Sequence, residues 1–290
     1  ALFLRCTYDK KTKMTLADFK NKMKSTLSSI YESDELNSIF YLLSEEFLQI
    51  PRSKILLADE IELDSKKQKL FLDALDRLKK NEPVQYVIGK TTFMDLEFNV
   101  NSNVLIPRPE TEELVRLMLK EDLDGKEILD IGTGSGCIAI SLAKNLPNAK
   151  VSALDISEEA LRVARENAKI NNVDINFINA DIFDYQTEKK YDAIVSNPPY
   201  VRESEKALMK SNVLKYEPEL ALYVSDDNAL IYYNSILDFS KSNLDKNGKI
   251  YLEINENYKD QMSNLLKNQF YNNVNFIKDI NEKYRFCITC

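Results

Sequence analysis

In the first third of the chain, apolar residues recur every three or four positions. Leu36, Ile39, Phe40, Leu43 and Phe47 form one stripe, and Leu70, Phe71, Ala74, Leu75 and Leu78 form a second. That period belongs to α-helices with one buried face, and it runs from Thr15 to about Lys80. No glycine occurs before Gly89, which suits a small helical bundle packed through these stripes. Between Glu82 and Ile106 the pattern shortens. Val84–Ile88, Thr91–Phe93 and Leu96–Val100 read as short strands or a hairpin, with Gly89 as the turn residue, linking two domains.

From Lys126 onward, apolar runs alternate with helical stretches. Glu127–Ile131, Val151–Leu154, Ile175–Ile178, Asp192–Ser196 and Lys249–Ile254 read as strands. Cys137–Asn145, Glu158–Asn171 and Ala229–Asn243 read as helices. Val274–Asp279 and Tyr284–Thr289 read as a closing pair of strands. Alternation of this kind predicts an α/β domain, a mostly parallel sheet with helices on both faces and an antiparallel hairpin at its C-terminal side. Ligands of such sheets bind at the carboxyl ends of the strands. The expected divisions are residues 1–13 as an extension or leader before Met14, 14–81 as a helical domain, 82–106 as a hairpin linker and 107–290 as the α/β domain.

Composition narrows the chemistry. The 290 residues include no histidine, which removes Ser-His-Asp and Cys-His hydrolases and most zinc enzymes. A net charge of −7 argues against a protein that lives on bulk phosphate contacts. The basic stretch 1–24, with seven basic and two acidic residues, reads as a solvated leader. Four cysteines, Cys6, Cys137, Cys287 and Cys290, are too few for a disulfide framework. Cys287 and Cys290 cannot by themselves supply four metal ligands, so no metal is expected. No apolar run nears the roughly 18 residues that span a bilayer. Leu2–Phe3–Leu4 is too short for a signal-peptide core. The expected location is the cytoplasm.

Three of the six glycines fall within five residues: Gly132, Gly134 and Gly136. They separate the strand ending at Ile131 from the helix starting at Cys137. A plain strand-to-helix turn needs one glycine, whereas three let a ligand approach the backbone of Gly132, Thr133, Gly134, Ser135 and Gly136. Dinucleotide folds place the third glycine one position later, where this chain has Cys137, and no lysine follows as it would in a phosphate-cradling loop. Asp155 ends the next strand, where an acid can hold both ribose hydroxyls. Asp181 follows the third strand, where a carboxylate can accept from an adenine amino group while Ile182 packs on the base. An adenosine without phosphates fits this order, which resembles that of the class I S-adenosylmethionine methyltransferases.

Asn197–Pro198–Pro199–Tyr200 follows directly on a strand. Two prolines fix two φ angles and remove two amide donors, and Asn197 is pushed toward an extended backbone. A rigid turn alone does not explain the flanking Asn and Tyr. The NH2 of an amide or of adenine is a poor nucleophile, because its lone pair is delocalised. The Asn197 side-chain oxygen and the Pro198 carbonyl can orient such a nitrogen and stabilise its growing positive charge, with Tyr200 covering the flat group. The tetrad resembles the signature of amino-methyltransferases acting on adenine, guanine or glutamine.

Two further segments, Glu82–Pro83–Val84–Gln85–Tyr86–Val87–Ile88–Gly89 and Leu105–Ile106–Pro107–Arg108–Pro109–Glu110–Thr111–Glu112, complete the pattern. With the glycine loop, the tetrad and the helical N-terminal domain, they resemble the release factor glutamine methyltransferases, the PrmC/HemK family, from Met14 to Arg285. The resemblance implies methyl transfer from S-adenosylmethionine, without a metal, to N5 of the glutamine in the Gly-Gly-Gln loop of class I peptide chain release factors. It implies cofactor contacts at Gly132 to Gly136, Asp155, Ile182 and Asn197, and glutamine contacts at Asn197 to Tyr200, with Asn197 and Pro198 catalytic. The helical domain would dock the partner, and the enzyme is expected to be a monomer that needs no nucleic acid. Arg108 and Glu110 are weaker candidates for the substrate side, since they read equally as a surface ion pair at a helix start. Two alternatives stay open: an amino-methyltransferase acting on adenine or guanine in RNA or DNA, and an inert adaptor that binds cofactor and partner.

Overall fold

In the computed structural model, which describes residues 14–57, 61–271 and 273–290, the chain divides after Ile88 into two units. The expected leader at 1–13, with Cys6, lies outside the described residues. The first unit holds α1 (Leu16–Leu27), α2 (Ser33–Leu48), α3 (Arg52–Leu56), α4 (Ser65–Leu78) and α5 (Val84–Ile88). Thr15 and Asp18 exchange hydrogen bonds as a capping box at the start of α1, and Asp64 caps α4 by accepting from Lys67 N–H at 2.8 Å. Phe19, Leu43, Phe71 and Leu78 form the fully buried centre. The second apolar stripe is narrower than the sequence suggested, because Leu70 faces outward.

Val84–Ile88 is a helix and not a strand. Its β-favouring side chains are overruled by its ends. Val87 N–H donates to the Pro83 carbonyl at 3.0 Å. At the other end the Arg77 guanidinium takes the carbonyls of Tyr86 (2.9 Å) and Val87 (3.0 Å) while pairing with Glu82. A cation on the last carbonyls satisfies groups that a five-residue helix leaves free.

The second unit opens with a hairpin, β1 (Lys90–Phe93) and β2 (Leu96–Asn99), in antiparallel register. Its turn is Met94–Asp95, both left-handed at φ 50° and 60°, so the corner is not at Gly89. Next come α6 (Pro109–Met118), β3 (Glu127–Ile131), α7 (Cys137–Asn145), β4 (Lys150–Asp155), α8 (Glu158–Asn171), β5 (Asn176–Asn179) and β6 (Tyr191–Ser196). A segment with β7 (Val201–Arg202), α9 (Ser211–Tyr216) and β8 (Tyr223–Val224) precedes α10 (Ile231–Asn243) and β9 (Leu244–Glu253). The chain ends with α11 (Lys259–Asn268), β10 (Val274–Lys278) and β11 (Tyr284–Thr289). The hairpin is fastened to α8, where Asn167 exchanges two hydrogen bonds with the Asn99 backbone and Asn171 donates to the Glu97 carbonyl.

The main sheet has seven strands in the order β10-β11-β9-β6-β3-β4-β5. β9, β6, β3, β4 and β5 are parallel, and β11 and β10 are antiparallel. The chain moves outward from β3 through β4 to β5, then returns to β6 on the other side of β3. The boundary between β3 and β6 is therefore the point where the winding reverses, and ligands of open α/β sheets bind beyond such a point. One apolar cluster packs between the sheet and α6, α7 and α8, and a second between the sheet and α10 and α11.

Candidate active site

Strand register decides which residues meet. Ile131 of β3 pairs with Ser196 of β6 and with Leu154 of β4, and Ser196 pairs with Leu252 of β9. The Ser196 hydroxyl also donates to the Ile131 carbonyl at 2.6 Å. The next residue on each strand therefore stands in one row at the carboxyl edge: Glu253, Asn197, Gly132 and Asp155. The two motifs, separated by more than sixty positions, become neighbours through this pairing.

The glycine turn is built from backbone. Gly132 and Thr133 N–H groups both donate to the Leu154 carbonyl, bending the chain over β4. Asp130, fully buried, accepts from the Thr133 hydroxyl at 2.7 Å and from Ala139 N–H at 3.2 Å, tying turn to helix. Burial pushes its carboxyl up to about 7 against the effect of those donors. Gly132 and Gly134 sit at φ +73° and +55°, and a Cβ on either would meet nothing within 4 Å. Open space over two glycines is a cradle for a ligand lying on the backbone. Gly136 differs, since a Cβ there would come 2.8 Å from Ile140 Cδ1 and 3.2 Å from Ala164 Cβ. It does not line the cavity, and its missing side chain lets α7 and α8 approach.

Asp155 accepts from Gly134 N–H at 2.8 Å and Ser157 N–H at 2.9 Å, and burial raises its pKa. Each carboxylate oxygen keeps a second lone pair for a hydroxyl donor. Gly132, Thr133, Gly134, Ser135, Asp155, Asp181 and Ile182 all line a single cavity. Phe183 and Tyr232 line it as well, their ring centroids 5.2 Å apart. Phe183 directly follows Ile182 in the chain, whereas no motif marks Tyr232. Leu105, the first residue of the Leu105–Glu112 segment, also reaches the cavity, as do Asn103 and Val104, which no motif marks.

Asn197, Pro198 and Pro199 line the opposite wall of the same cavity, with Arg108. Asn197 Nδ2 donates to Thr111 Oγ1 at 3.1 Å, and the Thr111 hydroxyl donates to Glu253 Oε2 at 2.7 Å. Tyr200 does not line the cavity. Its hydroxyl donates to Glu253 Oε1 at 3.2 Å, and burial raises its pKa. Glu110 is also outside the cavity lining, in the first turn of α6. The ion-pair partner of Arg108 is not Glu110 but Glu217, 2.6 Å away with a side chain only 2% exposed. Glu217 also accepts from Ile106 N–H at 3.3 Å, so the Ile-Pro-Arg-Pro run is pinned to the segment before Pro218, another residue of the cavity wall. Thr111, Glu217 and Glu253 carry no local motif that would have assigned them together.

A mostly parallel sheet with an antiparallel closing pair, a glycine cradle flanked by carboxylates on one side of its switch point and Asn-Pro-Pro on the other, defines a class I S-adenosylmethionine-dependent methyltransferase. Comparison with known proteins goes further. Residues 20–89 match the PrmC N-terminal domain, and residues 109–220 match the methyltransferase small domain. A release factor glutamine methyltransferase of Flavobacterium psychrophilum is 45% identical over 275 residues, 92% of this chain and 96% of its own length. One from Bacteroides thetaiotaomicron is 45% identical over 265 residues, 91% and 95% of the two chains. Among solved structures, a methyltransferase from Pyrococcus furiosus has the same fold, with a TM-score of 0.50 at 22% identity over 78% of this chain and 98% of its own. The chain belongs to the PrmC family of release factor glutamine methyltransferases.

Proposed function

We propose that this protein transfers a methyl group from S-adenosylmethionine to N5 of the glutamine in the Gly-Gly-Gln motif of class I peptide chain release factors. The observation that carries the reading is the row at the sheet edge, which sets the Asn197–Pro198 corner beside the glycine cradle in one cavity. When bound, the cofactor supplies an electrophilic methyl on a sulfonium.

Gly132 to Ser135 would hold its amino-acid part against the backbone, and Asp155 its ribose hydroxyls. Asp181 is placed for the adenine amino group and Ile182 for the base, with Phe183 and Tyr232 as added aromatic surface. On the substrate side, Asn197 Oδ1 and the Pro198 carbonyl accept the two amide hydrogens of the incoming glutamine. Among the described residues neither oxygen receives a hydrogen bond from another protein group. Two fixed acceptors turn the nitrogen lone pair toward the methyl and would stabilise the positive charge that grows as the N–C bond forms and the methyl–sulfur bond breaks, S-adenosylhomocysteine being the leaving group. The proton then released leaves to solvent. Pro199 walls the pocket. Arg108 shapes the same wall through Glu217, while Gly136 and Tyr200 support residues that reach the cavity. The helical unit docks the release factor. No described helix is long and apolar enough to cross a membrane, and the protein acts on translation factors in the cytoplasm as a monomer.

The test is transfer of labelled methyl from S-adenosylmethionine to purified release factor, beside a factor whose motif glutamine is replaced, and beside tRNA, rRNA and DNA. Label in the intact factor alone supports the reading. Label in nucleic acid alone would establish the amino-methyltransferase alternative.

A further inference from the structure

An asparagine that must present its oxygen has a weakness, because its amide can turn over and present nitrogen with little change in shape. The structure contains a device against this. Thr111 has one hydroxyl proton, and that proton goes to Glu253 Oε2 at 2.7 Å. The Thr111 oxygen is then left only as an acceptor, and it faces Asn197 Nδ2 at 3.1 Å. Only the nitrogen end of Asn197 can satisfy it. Oδ1 is consequently the end that, among the described residues, receives no hydrogen bond from another protein group.

We infer that Thr111 and Glu253 are positioning residues that set which end of Asn197 faces the substrate, a role that rests on the proposed use of Asn197 as an amide acceptor. Glu253 does not line the cavity and is 1% exposed, so it acts through Thr111 and not on substrate.

The surroundings keep the carboxylate in place. Tyr200 donates to its other oxygen, and Tyr233 of α10 donates to its backbone carbonyl at 2.9 Å. The neighbouring charges are Arg285 of β11, which favours the ionised form, and Glu110 of α6, which opposes it. Cys137 of α7 is also within electrostatic reach and stays a neutral thiol because burial pushes it up to about 12. Burial dominates and pushes Glu253 up to about 7. Once protonated, Glu253 can donate to Thr111, which frees the threonine proton for Asn197 Oδ1 and permits the wrong orientation.

The experiment compares Thr111→Val, Thr111→Ser and Glu253→Gln with wild type, reading kcat, KM for release factor, cofactor affinity and the pH profile of kcat. Thr111→Val should lower kcat at least tenfold, the order expected for loss of one preorganised polar contact, with KM and cofactor affinity within about threefold. Thr111→Ser, which keeps the hydroxyl, should restore most of the rate. In wild type kcat should fall as pH drops through about 7, and Glu253→Gln should lack that limb. The pH profile stays informative if Thr111→Val fails to fold. A Thr111→Val enzyme within twofold of wild-type kcat, or an unchanged acidic limb in Glu253→Gln, would overturn the inference. If Asn197→Ala also kept full rate, the amide-acceptor reading itself would fall, so the two failures are distinguishable.

Discussion

The two walls of the cavity are built by opposite methods. On the glycine side, the hydrogen bonds that shape the site join residues 2, 3, 9 and 21 positions apart. On the tetrad side they join residues 53, 86, 109 and 142 positions apart. The first wall is local backbone geometry, set by glycines and a buried aspartate. The second is a set of side chains from four separate segments, assembled only when the sheet and its helices have closed. A wall made of backbone resists change in its neighbours, whereas a wall made of side chains depends on every partner in the chain of contacts.

That contrast can be broken most sharply at Asn197. Replacing it with alanine should cut turnover roughly 10²–10³-fold, as for loss of one preorganised partner of a developing charge, while calorimetry shows cofactor affinity nearly unchanged. A parallel loss of cofactor binding would mean that the walls are not separable. Arg108→Ala comes next, because it strands the buried Glu217 carboxylate. Its cost should be about 2–3 kcal/mol, below the full range for a buried pair because Arg108 is one-third exposed, and urea unfolding measures it.

The glycine wall offers a finer test within one motif. Gly136→Ala drives a Cβ into Ile140 and Ala164 at φ +82° and should lower stability by about 2 kcal/mol. Gly134→Ala meets no protein atom and should instead weaken cofactor affinity about tenfold, with a stability loss near 1 kcal/mol from its positive φ alone. Equal effects on both readouts would erase the distinction between packing glycine and cradle glycine.

The last test is a pH slope. Glu253 is raised from 4.5 to about 7 by burial, so the folded state holds this proton more tightly than the unfolded chain. Its contribution is favourable below about pH 4.5 and is lost as pH rises to about 7. Glu253→Gln should flatten the corresponding fall in melting temperature relative to wild type. An identical slope in the variant would show that the buried carboxyl is not its source.

The same difference in span explains what the sequence disclosed. Gly132, Asp155 and Asp181 could be placed because a strand end, a turn and a carboxylate lie within one local pattern. Asn197 and Pro198 could be placed because proline constrains its own backbone and that of its neighbour. The alternation of strands and helices from Lys126 likewise gave the sheet, since burial on both faces leaves a continuous apolar run. Thr111 stands in the Ile-Pro-Arg-Pro-Glu-Thr-Glu run but takes no role from it, and Glu253 is silent. A threonine in the first turn of a helix and a glutamate at the end of a strand are ordinary on their own, and only the β6–β9 register together with the packing of α6 against β9 brings them to Asn197. The motif casts Tyr200 as a cover for the substrate while its hydroxyl turns to Glu253, because position in a motif does not reveal side-chain direction. Val84–Ile88 misled for a related reason, since the guanidinium that holds it helical comes from Arg77, outside the window in which propensity is judged.

The place of β11 has a consequence for synthesis of the chain. Residues 284–289 insert between β9 and β10, pairing with both. Until that stretch has emerged from the ribosome, β9 has a bare edge, and the carboxylate at its tip lacks the arginine beside it. The catalytic unit therefore cannot complete itself progressively as it is translated. Until then an unpaired strand edge is its exposed risk.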